Sequence, residues 1–263
     1  MPSSIDRIFT ELRTQKRGGI MPFITGGFPR SNLLGPLLRA LDSAGADIVE
    51  VGIPFSDPIA DGPVIAASMH EALQRGATPE SIMHEVRAVR DDIACGVIAM
   101  VSCSIVHAMG ERAFLRQLRE HGFDGVIVPD IDAGDSPSPG ARLSEAAGEL
   151  DMSCTFLIAP GTPPERAAAL ASLSRGFVYL LARVGITGER SEVPDVAAQV
   201  QRLREVTDLP IAVGFGISTR EHVLAVHQHA DAAIVGSALV RRMGEAEDPV
   251  AAAGDFVRSL VDA

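Results

Sequence analysis

A single (β/α)8 barrel of the TIM type, filling residues 1–263 as one domain, is the fold this sequence predicts. Three observations predict it. Eight short apolar runs alternate with longer amphipathic ones from end to end. The short runs are almost continuously hydrophobic, as parallel strands covered on both faces are, instead of alternating as half-exposed strands do. The chain has 263 residues without a linker or a break in composition, and such barrels typically take ~250. A doubly wound open sheet is the alternative, but no G-x-G-x-x-G follows the first strand.

The elements follow in order. Residues 5–12 carry a charged amphipathic helical pattern, placed to cap the bottom of the barrel and unlike a signal peptide. The first strand, 20–25, leads to a helix over 33–44. The second, 48–52, opens the longest strand-to-strand connection, in which 53–76 reads as a loop plus an extra helix before the helix at 81–91. An insertion there extends the C-terminal face, where barrel active sites sit. The third strand, 97–101, precedes a helix at 112–120; the fourth and fifth are 125–128 and 154–158, the latter followed by a helix at 164–173. Strand 177–181 leads to helix 196–206, strand 211–213 to helix 221–229. After the eighth strand, 232–235, Ser237 opens a short extra helix (237–242), and the chain closes on a helix at 250–261.

Composition narrows the function. At 46% hydrophobic and 22% charged the chain is too apolar to be disordered. With Phe 10, Tyr 1 and Trp 0 the core is aliphatic and offers few rings for stacking nucleic-acid bases. A net charge of -11 speaks against nucleic acid and anionic membrane as partners, though not against a small phosphorylated ligand held by backbone N–H groups. No apolar run reaches the ~18 residues of a membrane span. Cys95, Cys103 and Cys154 are an odd count without metal-like spacing, read as reduced thiols of a cytoplasmic protein. His227 and His229 lack partners at ligand spacing, so no metal is expected; His70, His84, His107, His121 and His222 read as surface or loop residues.

Two segments carry the chemistry. Glu50 interrupts the second strand, so its side chain points either into the barrel or at the helix layer. Inside, it is a carboxyl with a raised pKa, suited to general acid work; outside, it bonds a helix N-terminus or an arginine. Asp57 and Asp61 follow in a loop stiffened by Pro54, Pro58 and Pro63, either aimed by it or bonded to its turns. Late in the chain come Gly185-Ile-Thr187-Gly188, Gly214-Phe-Gly216-Ile-Ser218 and Gly236-Ser237. Glycines after the last strands, with a helix opening at Ser237, form a recurrent phosphate site in barrels. Arg183 orders its loop or pairs with Asp61.

Together these segments resemble the tryptophan synthase alpha chain family over nearly the whole chain. The resemblance rests on Pro22-Phe-Ile-Thr25, on the run from Ala46 through Glu50 and Asp61 to Pro63, on Val128-Pro-Asp130, on Tyr179-Leu-Leu-Ala-Arg183-Val-Gly-Ile-Thr-Gly188, on Gly214-Phe-Gly216-Ile and on Gly236-Ser237. It implies retro-aldol cleavage of indole-3-glycerol phosphate to indole and glyceraldehyde 3-phosphate without a cofactor. It puts Glu50, Asp61 and Tyr179 in the catalytic site and Gly188, Gly216, Gly236 and Ser237 at the substrate phosphate. Phe23 and Phe215 wall the indole ring, Tyr179 orients Glu50 or edges the ring, and Asp57, Asp130, Arg183 and Thr187 order the loops.

The sequence departs from the family where its members face a beta chain. Tyr and Asn are usual after the third strand, where Ser102 and Ser104 stand. Two Glu are usual after the fourth, where the chain reads Ile131-Asp132-Ala133-Gly134-Asp135, and Ala66 replaces a usual Gln. The expectation is a stand-alone indole-forming lyase; the alternatives are an ordinary alpha subunit that needs a tryptophan synthase beta chain, or a non-catalytic barrel that binds a phosphorylated ligand. A Schiff-base aldolase is excluded, because Lys16 is the only lysine and precedes the first strand.

Overall fold

Strand pairing bears out the barrel and closes it through one interrupted stave. The computed structural model describes residues 3–56, 62–134, 138–182, 196–214 and 216–261. The first half runs α1 (Ser4–Gln15), β1 (Gly19–Thr25), α2 (Leu34–Ser43), β2 (Ile48–Gly52), α3 (Pro63–Gln74), α4 (Pro79–Arg87), β3 (Gly96–Met100), α5 (Cys103–Met109), α6 (Glu111–Glu120) and β4 (Gly125–Ile127). The second half runs α7 (Pro139–Glu149), β5 (Ser153–Thr155), β6 (Leu157–Ile158), α8 (Pro164–Leu173), β7 (Val178–Leu181), α9 (Ala197–Arg204), β8 (Ile211–Gly214), α10 (Arg220–His227), β9 (Ala232–Val235), α11 (Ser237–Glu245) and α12 (Pro249–Val261). The sheet order is β5-β4-β3-β2-β1-β9-β8-β7-β6, with every strand pair parallel.

β5 and β6 are one stave broken at Phe156, whose N–H turns to the Ser174 hydroxyl at 3.3 Å. β5 pairs with β4 and β6 with β7, so this stave joins the two ends of the sheet and leaves no free edge. Extra helices follow the second and eighth staves as expected. α5 and α7 are additions to the elements named from the sequence. α5 is short, and α7 buries Gly140, Leu143, Ser144, Ala146 and Ala147, a face with one large apolar side chain and hence little helical periodicity to read.

The N-terminal helix does cap the barrel. Ser3 and Asp6 form a capping box at its start, and Ile5, Phe9 and Leu12 face inward. They join Met21, Ile48, Ile98 and Phe177 in an inner core, with the Phe9 and Phe177 ring centroids 5.5 Å apart. The outer core, between sheet and helices, takes the alternate residues, Val49 and Val51 among them.

One device recurs at the bottom rim. Asp47, Asp124 and Asp231 each stand just before an even-numbered stave. Each accepts, through its side chain, the N–H of a residue on the preceding stave: Ile20 at 2.9 Å, Val97 at 2.9 Å and Ile211 at 2.8 Å. Each also donates its own N–H to the carbonyl of that same residue. Arginines complete the clasps: Arg17 on Asp47, Arg90 on Asp124, Arg13 and Arg204 on Asp231. Burial pushes the Asp231 carboxyl up, but these donors outweigh it and hold its pKa below the ordinary value. In the remaining stave pair Cys154 and Arg175 exchange backbone bonds instead.

Candidate active site

Strand alternation decides where Glu50 points. Ile48 belongs to the inner core and Val49 and Val51 to the outer one, so Glu50, two residues beyond Ile48, faces the barrel interior. Its side chain has 0% exposure, and neither carboxylate oxygen has a hydrogen-bond partner among the described residues. Burial alone pushes its pKa up to about 8. The alternative of a carboxylate tied to an arginine or a helix end is thereby removed. A group left in this condition is a neutral carboxylic acid at pH 7, with a proton to give.

The surroundings of Glu50 are apolar and ring-shaped. It lies in register with Phe23 on β1 and Ile98 on β3. The Phe23 ring lies so close over Gly52 that a Cβ there would sit 2.6 Å from it. Phe23 also flanks Gly236, whose added Cβ would be 3.6 Å from the Phe23 Cβ. The ring thus bridges the C-terminal ends of staves one, two and eight, where a pocket wall was expected.

Tyr179 is buried on β7, in register with Leu157 and Ala212, and belongs to the inner core. Its hydroxyl reaches the level of Gly214, where a Cβ would come within 2.3 Å of it. β7 is the sixth stave and β2 the second, so the phenol and Glu50 stand on opposite sides of the bore. The Glu50 oxygens accept no hydrogen bond, so the Tyr179 hydroxyl is not bonded to them.

Two of the expected phosphate-binding positions lie at the mouth, at the start of α11. Gly236 caps α11 without a side-chain bond, its carbonyl accepts the Leu239 and Val240 N–H groups, and Ser237 is the first helical residue. Gly216 turns the loop after β8 with φ of 82°. Asp57, Asp61, Arg183, Thr187, Gly188 and Phe215 lie outside the described residues.

His222 corrects an expectation. It is buried rather than on the surface, and its Nδ1 accepts the Ser218 N–H at 3.3 Å, fastening the loop that follows Gly216 to α10. The residue that betrays this in sequence is Thr219, whose hydroxyl caps α10 and fixes His222 in its first turn. Among the described residues no group of three His, Cys, Asp or Glu is placed to hold a metal. Cys95 and Cys154 are buried free thiols, that of Cys154 raised to about 12 by burial, and neither is poised as a nucleophile.

The loops after staves three and four are bonded to each other. The Ser102 hydroxyl lies 2.7 Å from Asp130 Oδ2 and 2.9 Å from the Ser104 hydroxyl, and the Cys103 N–H donates to Asp130 Oδ1 at 2.8 Å. Asp130 thus caps the start of α5 from the neighbouring stave. Asp132 accepts the Gly134 N–H at 2.9 Å in a tight turn. Among the described residues no helix is long and apolar enough to cross a membrane.

Comparison with known proteins agrees over the whole length. The family model described as tryptophan synthase alpha chain matches residues 9–259. A tryptophan synthase alpha chain from Rippkaea orientalis is 40% identical over 265 residues, covering 99% of this chain and 98% of the relative. One from Synechocystis is 41% identical over 245 residues, covering 92% and 91%. Among solved structures, Mycobacterium tuberculosis tryptophan synthase superposes with a TM-score of 0.89 at 32% identity, covering 99% and 97% of the two chains. The Legionella pneumophila tryptophan synthase subunit alpha gives 0.89 at 30% identity, with 99% and 97% covered.

Proposed function

The chain belongs to the tryptophan synthase alpha chain family, and we propose that it cleaves indole-3-glycerol phosphate as a stand-alone lyase with Glu50 as its acid–base group. The observation that carries the mechanism is the neutral, unpartnered Glu50 carboxyl inside the mouth of the barrel.

The indole ring is a poor leaving carbanion until C3 carries a proton. Glu50 donates that proton, and the positive charge that develops on the ring is met at N1–H by Asp61. The Glu50 carboxylate then takes the proton of the glycerol 3′-hydroxyl. The oxygen electron pair becomes the aldehyde carbonyl, the C3–C3′ bond breaks, and its electrons return to the ring. Indole and glyceraldehyde 3-phosphate leave, and Glu50 is again protonated. Phe23 and Phe215 hold the ring faces, Tyr179 borders the ring across the bore, and Gly188, Gly216, Gly236 and Ser237 receive the phosphate through N–H groups and a hydroxyl.

What supports independence from a beta chain is the bonding of the Ser102 hydroxyl and the Cys103 N–H to Asp130, with the Ser104 hydroxyl on that of Ser102, which satisfies inside this chain polar groups of two loops that the family offers to its partner. Among the described residues the one exposed large apolar side chain is Leu224, on α10 and away from those loops.

The test is indole release from indole-3-glycerol phosphate by the chain alone, repeated with a cognate beta chain. The expected result is steady turnover whose kcat is unchanged on mixing. A large activation on mixing would make this an ordinary alpha subunit, and no indole under either condition would leave a phosphate-binding barrel without catalysis.

A further inference from the structure

Between α8 and α9, on the outer side of the barrel wall, lies a cavity of about 290 Å³ that the reaction above does not use. Its floor is apolar: Ile158 and Leu180, in register on β6 and β7, with Ala167 of α8 and Leu203 of α9, all buried. α8 meets the hollow with the small side chain of Ala167, which leaves space that a larger side chain would fill. Among the polar side chains of the lining, Thr162, Gln199, Arg202 and Glu205, one atom is buried and unmatched. The Gln199 Oε1 is buried and has no hydrogen-bond partner. Arg202, which stands in no ion pair among the described residues, is exposed at the rim.

A buried acceptor without a donor is destabilising, so the site is incomplete as it stands. What completes it must be mostly apolar, must fit a cavity at the lower end of the ~300–1,000 Å³ typical of ligand sites, and must bring one donor. An anion fails on the first count and meets another acceptor at Gln199. A planar heteroaromatic molecule with one ring N–H satisfies all three, and its face suits a guanidinium at the entrance. We propose that this cavity is a second binding site, for a bicyclic aromatic of the indole type, with its N–H on Gln199 Oε1. The choice of indole over other such rings rests on the lyase reading above; the cavity and its orphan acceptor do not.

The probe is indole itself, whose fluorescence is read directly because the chain has no tryptophan. Equilibrium dialysis of the wild-type protein is expected to give two equivalents of bound indole, one of them in the active site. Gln199→Leu and Ala167→Phe should each bind one fewer, with indole-3-glycerol phosphate turnover unchanged. If the lyase reading is wrong but the cavity site is right, the wild type binds one equivalent and both variants none. The same stoichiometry in wild type and Gln199→Leu overturns the proposal. So does full binding in Ala167→Phe, which fills the hollow without touching the acceptor.

Discussion

Glu50→Gln is expected to slow indole release by ~10²–10⁴-fold or more and, in the same protein, to raise the stability of the fold. The loss is the range assigned to general acid–base catalysis, since the amide keeps the shape of the carboxyl but has no proton to give. The gain follows from linkage. The folded pKa of Glu50 is about 8 against an ordinary 4.5, so between those values the folded state binds a proton that the unfolded state has released. Stability then falls as pH rises, from about 4.5 until about 8, after which the full cost of burying this carboxyl is present. Glutamine carries no such cost. Wild type and variant should unfold alike near pH 4 and differ by a few kcal/mol at pH 8, the variant being more stable. The wild-type kcat/KM should fall as pH rises through about 8, where the free enzyme loses the proton it donates. Urea unfolding at the two pH values checks the first statement and a pH–rate profile the second. A variant that stays active, or that is less stable at pH 8, contradicts the assignment of Glu50 as a neutral buried acid.

Asp124→Ala is expected to cost about 2–4 kcal/mol of stability, the largest loss among the three rim aspartates. Its side chain is 3% exposed, against 11% for Asp47 and Asp231. Truncation leaves the buried Val97 N–H without its acceptor and Arg90 without its 3.1 Å partner. Asp124→Asn keeps an acceptor for the N–H and should lose only part of that. Chemical denaturation of the pair gives the difference, and an alanine variant with an unchanged midpoint would show that water substitutes for the carboxylate at the rim.

The staves were legible because buried parallel strands leave continuous apolar runs, and most of the helices because one face is apolar. What hid α7 was its small-residue face, Gly140 and Ala147 being readable as loop or helix alike. Glu50 shows the limit at the site. Alternation gives a strand residue two directions and no sign, and only the neighbours, Ile48 inside and Val49 and Val51 outside, choose between them. Tyr179 shows another. Resemblance brings it to the catalytic group, but the distance around the ring of strands, half the circumference from Glu50, is a property of closure and not of any local motif. His222 carries a local signal instead: Thr219 caps α10 and sets His222 in its first turn, four residues from the Ser218 amide whose proton its ring accepts.

The rim clasps bear on how such a barrel is put together and taken apart. Each side-chain clasp ties an even stave to the odd one before it, at Asp47, Asp124 and Asp231, and a backbone bridge does the same for the remaining pair. The chain is thus composed in four doublets, each a strand–helix–strand with its own closing bond. Recombination that exchanges whole doublets between relatives keeps every carboxylate with the amide it binds. Recombination that exchanges single staves separates them, which makes the doublet the natural unit for shuffling this protein.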